Sequence, residues 1–342
     1  MKTLTFTSIL AFLFLLLGSC DNNPTGIRAT GVAFDIVVVA HPTTWNNTAG
    51  ILINDELTAP VPGLPRDEAF MRVTYVPTHE FKGMLTYVRN ILVVNIDESL
   101  YTKVSMKIER NRWSVGQVVV FANSPSESLL VDYLKENEGV LIKFFARTEM
   151  TRMADELKRS YNIPAMERLN SQFNIKLNIP TDINAFNKET TDFFWMSNNA
   201  NAGRMDMVVY TFPYTDPLTF TKEYLLSMRD SILGANIPGS FPNSYMSTNA
   251  MFTTYTPITL YGKYCGVLRG MWEMEGDMMG GPFVSFARLD EVNNRIIVAE
   301  GFIYAPETDR KKNMIRRLEA SLHTLRLPGE FDAVLESPEI ND

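Results

Sequence analysis

Phe34-Asp-Ile-Val-Val-Val-Ala40 decides the fold class. Ile36 to Val39 are four β-branched residues in a row, bounded by Asp35 and by His41-Pro42. A continuous apolar run of this length reads as a strand buried on both faces, as in a sheet covered by helices. Two later runs repeat it, NILVVNI over 90–96 and VGQVVVF over 115–121. Segments of helical character lie between them. Thr43 or Thr44 can start a helix running to about Thr58, stopped by Pro60 and Pro62. A strand is expected over 70–76. The spacing of Phe81, Leu85 and Val88 predicts a helix over 78–88 with Thr78 as its cap. A further helix is expected from Ser126 to about Phe145. Strands alternating with helices point to α/β-type sheets.

Residues 147–172 read as helical, with a break at Pro164. Strands are expected at 192–197 and 206–212 (DMVVYTF), then a helix over 219–233. Residues 251–275, 283–289 and 295–304 read mostly as strand, with a hairpin turning at Gly262-Lys263. A helix from Asp309 to Leu325 closes the chain's ordered part. The halves echo one another. Asp35–Pro42 resembles Asp206–Pro213, and each is followed by a helix and a Pro-Gly, at Pro62-Gly63 and Pro238-Gly239. Recurrence of order and spacing suggests an internal duplication. The expected fold is α+β: two α/β modules with mixed or antiparallel sheets and helices packed on one face. The modules are placed at 33–146 and 206–328, with a helical connector and strand at 147–205. Residues 329–342 are expected to form a loose acidic tail.

The first twenty residues, MKTLTFTSILAFLFLLLGSC, carry Lys2, an apolar run and a small-residue end. This is the layout of a secretory signal. A Cys directly after Leu17-Gly18-Ser19 resembles a bacterial lipobox, which implies cleavage after residue 19 and lipidation of Cys20, including palmitate. The apolar run falls short of the about 20 residues that a membrane-spanning helix needs. Each buried CH₂ of an acyl chain adds about 0.8 kcal/mol of anchoring. Residues 20–32 then form the lipidated Cys and a polar tether. The expected location is the cell envelope, with the outer membrane favoured over the inner and the body in the periplasm or on the cell surface. The chain has two cysteines, so acylation of Cys20 leaves Cys265 without a disulfide partner. Its apolar surroundings, Tyr264 to Leu268, predict a buried thiol.

The 342 residues carry 32 basic and 39 acidic side chains, a net charge of −7. Cleavage after residue 19 would remove Lys2 and no acid. An acidic body disfavours nucleic acid as a partner.

Motifs for chemistry are sparse. No P-loop, GxGxxG after a strand, HExxH, GxSxG or CxxC occurs. His41, His79 and His323 stand too far apart for metal-ligand spacing. No metal or cofactor is expected. The densest cluster is Arg269 with Glu273, Glu275 and Asp277, three carboxylates at i, i+2 and i+4 on one face of an expected strand. Such a set can hold a hard cation or supply acid–base chemistry, or it can be a solvated strand face. A second candidate is a cleft with His41, Tyr214 and Asp216. His41, Thr43, Thr44 and Asp97 follow the ends of the strands at 34–40 and 90–96, where open α/β sheets bind ligands. Alternatively, the threonines cap the next helix.

FPYTDPLTF (212–220), RGMWEMEGDMMGGPFVSFARLD (269–290) and VAEGFIYAPE (298–307) resemble a family of Bacteroidota lipoproteins known as a domain of unknown function. The resemblance implies an envelope lipoprotein and brings no activity, cofactor or site residue. Two readings follow. The first is a membrane-anchored module that binds a ligand or an envelope protein, held to the bilayer through Cys20. The alternative is a hydrolase or metal-dependent enzyme built on Glu273, Glu275 and Asp277.

Overall fold

The computed structural model describes residues 26–335 and 337–340. The signal at 1–19, Cys20 and residues 21–25 lie outside the described residues. Among the described residues the chain forms seven helices and two sheets, an α+β fold. It divides into two units. One takes the chain up to Leu52 and Val73–Glu136, and the other takes Ile53–Arg72 and the chain from Asn137 onward.

The first unit follows from the apolar runs. β1 (Asp35–Ala40), β3 (Asn90–Ile96) and β5 (Val118–Ser124) lie side by side and parallel, with Val38 opposite Leu92 and Leu92 opposite Val120. β2 (Arg72–Pro77) and β4 (Ser105–Arg110) flank them, giving the order β2-β1-β3-β5-β4. Val38, Leu92 and Val120 are fully buried on one face, and Val37, Val39, Ile91, Val93 and Val119 pack on the other. That double burial is why these runs do not alternate with polar residues. β4 was not expected, because SMKIER alternates with charge; it is an antiparallel edge strand against β5, where charge is tolerated. Helices α1 (Pro42–Asn46) and α2 (Thr48–Thr58) follow β1, and α3 (Glu127–Glu136) follows β5.

The helix expected over 78–88 is two 3₁₀ turns, Thr78–Glu80 and Gly83–Tyr87. Thr78 provides no cap, and Gly83 has φ +62°, which interrupts a right-handed helix. Phe81, Leu85 and Val88 still pack against the sheet, so their spacing reported burial correctly and helix type wrongly. Residues 27–30, expected to belong to a loose tether, pair with the first unit. Arg28 and Thr30 form parallel bridges to Val115 and Val88, and the Ala29 amide donates to Val115 O at 2.9 Å.

The second unit is built on seven strands in the order β6-β7-β8-β12-β11-β10-β9. These are β6 (Ala185–Thr190), β7 (Phe193–Ser197), β8 (Arg204–Pro213), β9 (Tyr245–Leu260), β10 (Lys263–Glu275), β11 (Gly280–Asp290) and β12 (Arg295–Tyr304). Every neighbouring pair is antiparallel. β9 and β10 turn at Tyr261-Gly262, both with positive φ as a tight hairpin requires. Helices cover both faces, not one. α6 (Lys222–Asn236) lies over Tyr210, Phe283 and Val298. α5 (Ile163–Phe173) and α7 (Lys312–Leu322) lie over Phe194, Phe286 and Ile297. Burial on two sides accounts for the nearly unbroken buried pattern of β11 and β12.

The segment 53–72 belongs to this unit because it caps two of its helices. Glu56 accepts from the amides of Leu141 at 2.7 Å and Ile142 at 3.0 Å, opening α4 (Val140–Leu157). Glu68 accepts from the amides of Lys311 at 2.6 Å and Lys312 at 3.1 Å, opening α7. A carboxylate at a helix start satisfies orphan amides and complements the helix dipole. Gly139, with φ +82°, separates α3 from α4, so the module boundary expected at 146/147 falls inside a continuous helix.

Two further expectations are corrected. The sheets do not share a topology. Asp35–Ala40 pairs in parallel and Arg204–Pro213 pairs antiparallel on both sides, so the echo between the halves does not extend to strand pairing. Nor is the stretch from 329 loose in its described part. Arg288 holds Glu330 through two hydrogen bonds of 2.8 and 2.7 Å, and Pro338 and Ile340 are buried.

Candidate functional site

The carboxylates at 273–277 do not converge. Glu273 and Glu275 are exposed on β10 and accept from β9, Glu273 from Asn249 Nδ2 at 3.2 Å and Glu275 from Ser247 Oγ at 3.3 Å. Asp277 lies in the following turn. The Ser240 amide, donating at 2.8 Å, holds its carboxyl below the usual range. Arg269 is engaged elsewhere, in an ion pair with Glu319 of α7. Among the described residues, no three His, Cys, Asp or Glu side chains are grouped to hold a metal. Trp272 and Met274, which alternate with Glu273 and Glu275, belong to the core under α6. The distinctive composition of 269–290 is therefore largely packing.

The residues of the second candidate belong to different units. Asp216 accepts from the Leu218 amide at 2.7 Å and so caps a 3₁₀ turn over Pro217–Phe220. Tyr214 packs on Phe220, which meets Tyr264 edge-on with centroids 5.0 Å apart. His41, in the first unit, caps α1, with Nδ1 at 2.7 Å from Thr43 Oγ1. It lines an open cavity of about 480 Å³ at the carboxyl ends of β1 and β3, together with Thr43, Thr44, Asn95, Asp97 and Glu127. The polar groups there serve local structure. Asp97 accepts from Ser99 Oγ and N at 2.6 and 2.8 Å, which lowers its pKa. Glu127 accepts from Asn47 Nδ2 at 3.4 Å.

A second cavity, of about 410 Å³, lies wholly inside the second unit. α4, α7, β9 and β10 wall it, with Val61-Pro62 and Phe70 from the capping segment. Its apolar lining includes Met150, Ile258, Leu260 and Ile315. Lys143 and Arg147, one helical turn apart on α4, are its exposed cations. Inside, Arg269 pairs with Glu319, and Arg316 stacks over the Phe70 ring at 4.6 Å. Burial brings Arg316 down to about 10, against the pull of Glu319. Burial raises the Glu319 carboxyl, but Arg269 and His323 outweigh it and leave its pKa below the usual value. Burial pushes the His323 imidazole down to about 4, and the charges of Arg269 and Arg147 push the same way.

Sequence reading points to none of Arg147, Arg316 and Glu319, and weighs His323 only as a metal ligand. A signal was present in α7, where Glu319 follows Ile315 by four residues and precedes Leu322 by three, a charge on an apolar stripe.

His323 yields a pH prediction. Its folded pKa is depressed, so between about 6.5 and 4 the unfolded chain takes up a proton that the folded chain refuses. Stability is full above this window and falls as pH drops through it, by about 2 kcal/mol once partial exposure is allowed for. Glu319, also depressed, adds loss in the same direction at still lower pH. Urea midpoints at pH 7.5 and 4.5 should converge in His323→Gln; an unchanged acid slope there would refute the assignment. Cys265 is inert by the same physics. It is fully buried, and burial pushes the thiol up to about 12. Thiol reagents should label it only in denaturant, and rapid labelling of native protein would contradict this placement.

Residues 162–324 match the family model described as a domain of unknown function (DUF4837), and residues 29–158 match a second such domain (DUF8532). None of the curated proteins matches the chain. A crystal structure of a Bacteroides thetaiotaomicron protein is similar at 12% identity over 46% of this chain and 46% of that one. Its TM-score of 0.19 is too low to inform the fold. The chain is thus similar, half by half, to two domains of unknown function.

Proposed function

We propose that this protein is a lipid-anchored envelope lipoprotein of the Bacteroidota type that works as a ligand-binding module, with the cavity of the second unit as its ligand site. The observation that carries the binding reading is that cavity: about 410 Å³, apolar-walled, with a partly buried Arg269–Glu319 pair inside. Sites for small molecules are concave, mostly apolar and furnished with a few placed polar groups, at about 300–1,000 Å³. The anchor rests on Leu17-Gly18-Ser19-Cys20 and on the resemblance of 212–220, 269–290 and 298–307. Seven residue steps separate Cys20 from Ile27, where backbone pairing with Val115 begins. That leash reaches at most about 25 Å, which holds the first unit close to the bilayer.

The enzyme alternative loses support from the exposed, separately bonded glutamates. Feeding cells an alkyne-bearing palmitate tests the anchor. Wild-type protein should carry the label in the outer-membrane fraction, and Cys20→Ser should lose the label and appear in soluble extract. Undiminished labelling of Cys20→Ser would end the lipoprotein reading.

A further inference from the structure

We infer that the cavity at the carboxyl ends of β1 and β3, in the first unit, is a binding site of its own, and that it takes a neutral polyhydroxylated molecule, a mono- or disaccharide. Two independent observations meet there. The first is topology. From β1 the chain goes on to β2 on one side, and from β3 it goes on to β4 and β5 on the other, in the order β2-β1-β3-β5-β4. The connections thus leave two adjacent parallel strands in opposite directions. They open a crevice between the carboxyl ends, which is where sheets of this kind bind ligands. The second is the cavity itself, of about 480 Å³, lined after β1 by His41 and Thr44 and after β3 by Asp97 and Tyr101. That volume suits a small molecule, for which about 300–1,000 Å³ is usual.

The lining gives the chemical class. Its polar groups keep capacity beyond the local bonds that shape the turns. Asn95 donates from Nδ2 to Asn123 Oδ1 at 2.9 Å, which leaves its own Oδ1 as an acceptor. Both Ser99 bonds to Asp97 fall on Oδ1, and a carboxylate offers about four acceptor sites. His41 meets Thr43 through Nδ1, which leaves Nε2. Thr44 is buried, yet its hydroxyl makes no hydrogen bond to another described residue. Acceptors on Asn95 and Asp97 therefore stand in one lining with the hydroxyls of Thr44 and Tyr101, which both donate and accept. A saccharide hydroxyl also does both, so it can pair with every member of such a set. The ring C–H groups of a sugar find the Tyr101 ring and Leu100, a large apolar side chain left exposed. No Lys or Arg is among the lining residues. A phosphate or carboxylate group would find no cationic side chain in the lining and would face Asp97 and Glu127.

The test uses the full chain carrying Cys20→Ser. It is applied to an immobilised array of neutral, acidic and amine-bearing glycans, then titrated calorimetrically with the free form of each glycan retained. At least one neutral glycan should be retained and should bind one-to-one. Thr44→Val, of the same shape without the hydroxyl, should weaken it about tenfold. Tyr101→Phe, at a partly buried position, should do the same if the buried change at Thr44 disturbs folding. Thr78→Trp, at an exposed lining position, should block the cavity and abolish binding while its melting curve stays as in wild type. Ile258→Trp, in the cavity of the second unit, should bind as wild type does. Retention of acidic or amine-bearing glycans alone would overturn the neutral class. Retention of no glycan, or binding that none of the first-unit variants weakens, would overturn the site. Binding lost in Ile258→Trp and kept in Thr78→Trp would also overturn it, while the reading of the second-unit cavity would stand.

Discussion

Arg229→Ala is expected to destabilise the second unit by about 3–5 kcal/mol. Arg229 on α6 and Glu300 on β12 are both fully buried. The guanidinium donates to both carboxylate oxygens, with bonds of 2.9 and 2.6 Å, and to Thr248 Oγ1 at 2.6 Å. Its plane lies 4.0 Å from the Phe283 ring centroid. Burial and the Glu300 charge together raise the Tyr210 phenol far above its ordinary value, which fits a dry site. Removing the arginine leaves the Glu300 carboxylate buried away from water without its counter-charge. Arg229→Met with Glu300→Leu should recover much of the loss, because removing both partners leaves no orphan charge. Urea melts followed by tryptophan fluorescence measure this. A double variant no more stable than the single would show that shape, not charge pairing, carries the effect.

Gly281→Ala is expected to cost about 3 kcal/mol or more, for steric reasons. A Cβ there would stand 1.9 Å from Ile303 O and 3.1 Å from Trp272 Nε1. That carbonyl also receives the Trp272 indole N–H at 3.1 Å. One methyl group would thus disturb strand β12 and the largest side chain of the core under α6 together. Gly262→Ala is the contrast. Nothing lies within 4 Å of its would-be Cβ, and only φ +72° opposes the change. Its cost should be about 1 kcal/mol. Melting temperatures of the two variants separate close approach from backbone conformation, and equal shifts would overturn the distinction.

These two sites show where reading the sequence reached its limit. Trp272, Gly280-Gly281-Pro282 and the acids around them stand out as a line of text and suggest chemistry. In the fold they alternate across β10 and β11. Trp272 and Met274 face the core, and Glu273 and Glu275 face water. Conversely, Arg229 and Glu300 drew no notice, since a lone Arg in a helix and a lone Glu in a strand are ordinary. Their 71-residue separation closes only when α6 lies on the sheet. The same holds for the cavity. Arg147, Arg269 and Glu319 come from three elements whose packing no local pattern reports.

Short-range physics was legible because it is written at short range. A short unbroken run of apolar, mostly β-branched residues specifies a doubly buried strand, so β1, β3 and most of β5 could be placed before any contact was known. Apolar spacing located α6 and α7. Strand partners, the capping of α4 and α7 by Glu56 and Glu68, and the charges gathered around one cavity belong to the tertiary structure alone. They are contacts between groups tens to hundreds of residues apart. Their free energy comes from excluding water, and it exists only once the chain has closed around them.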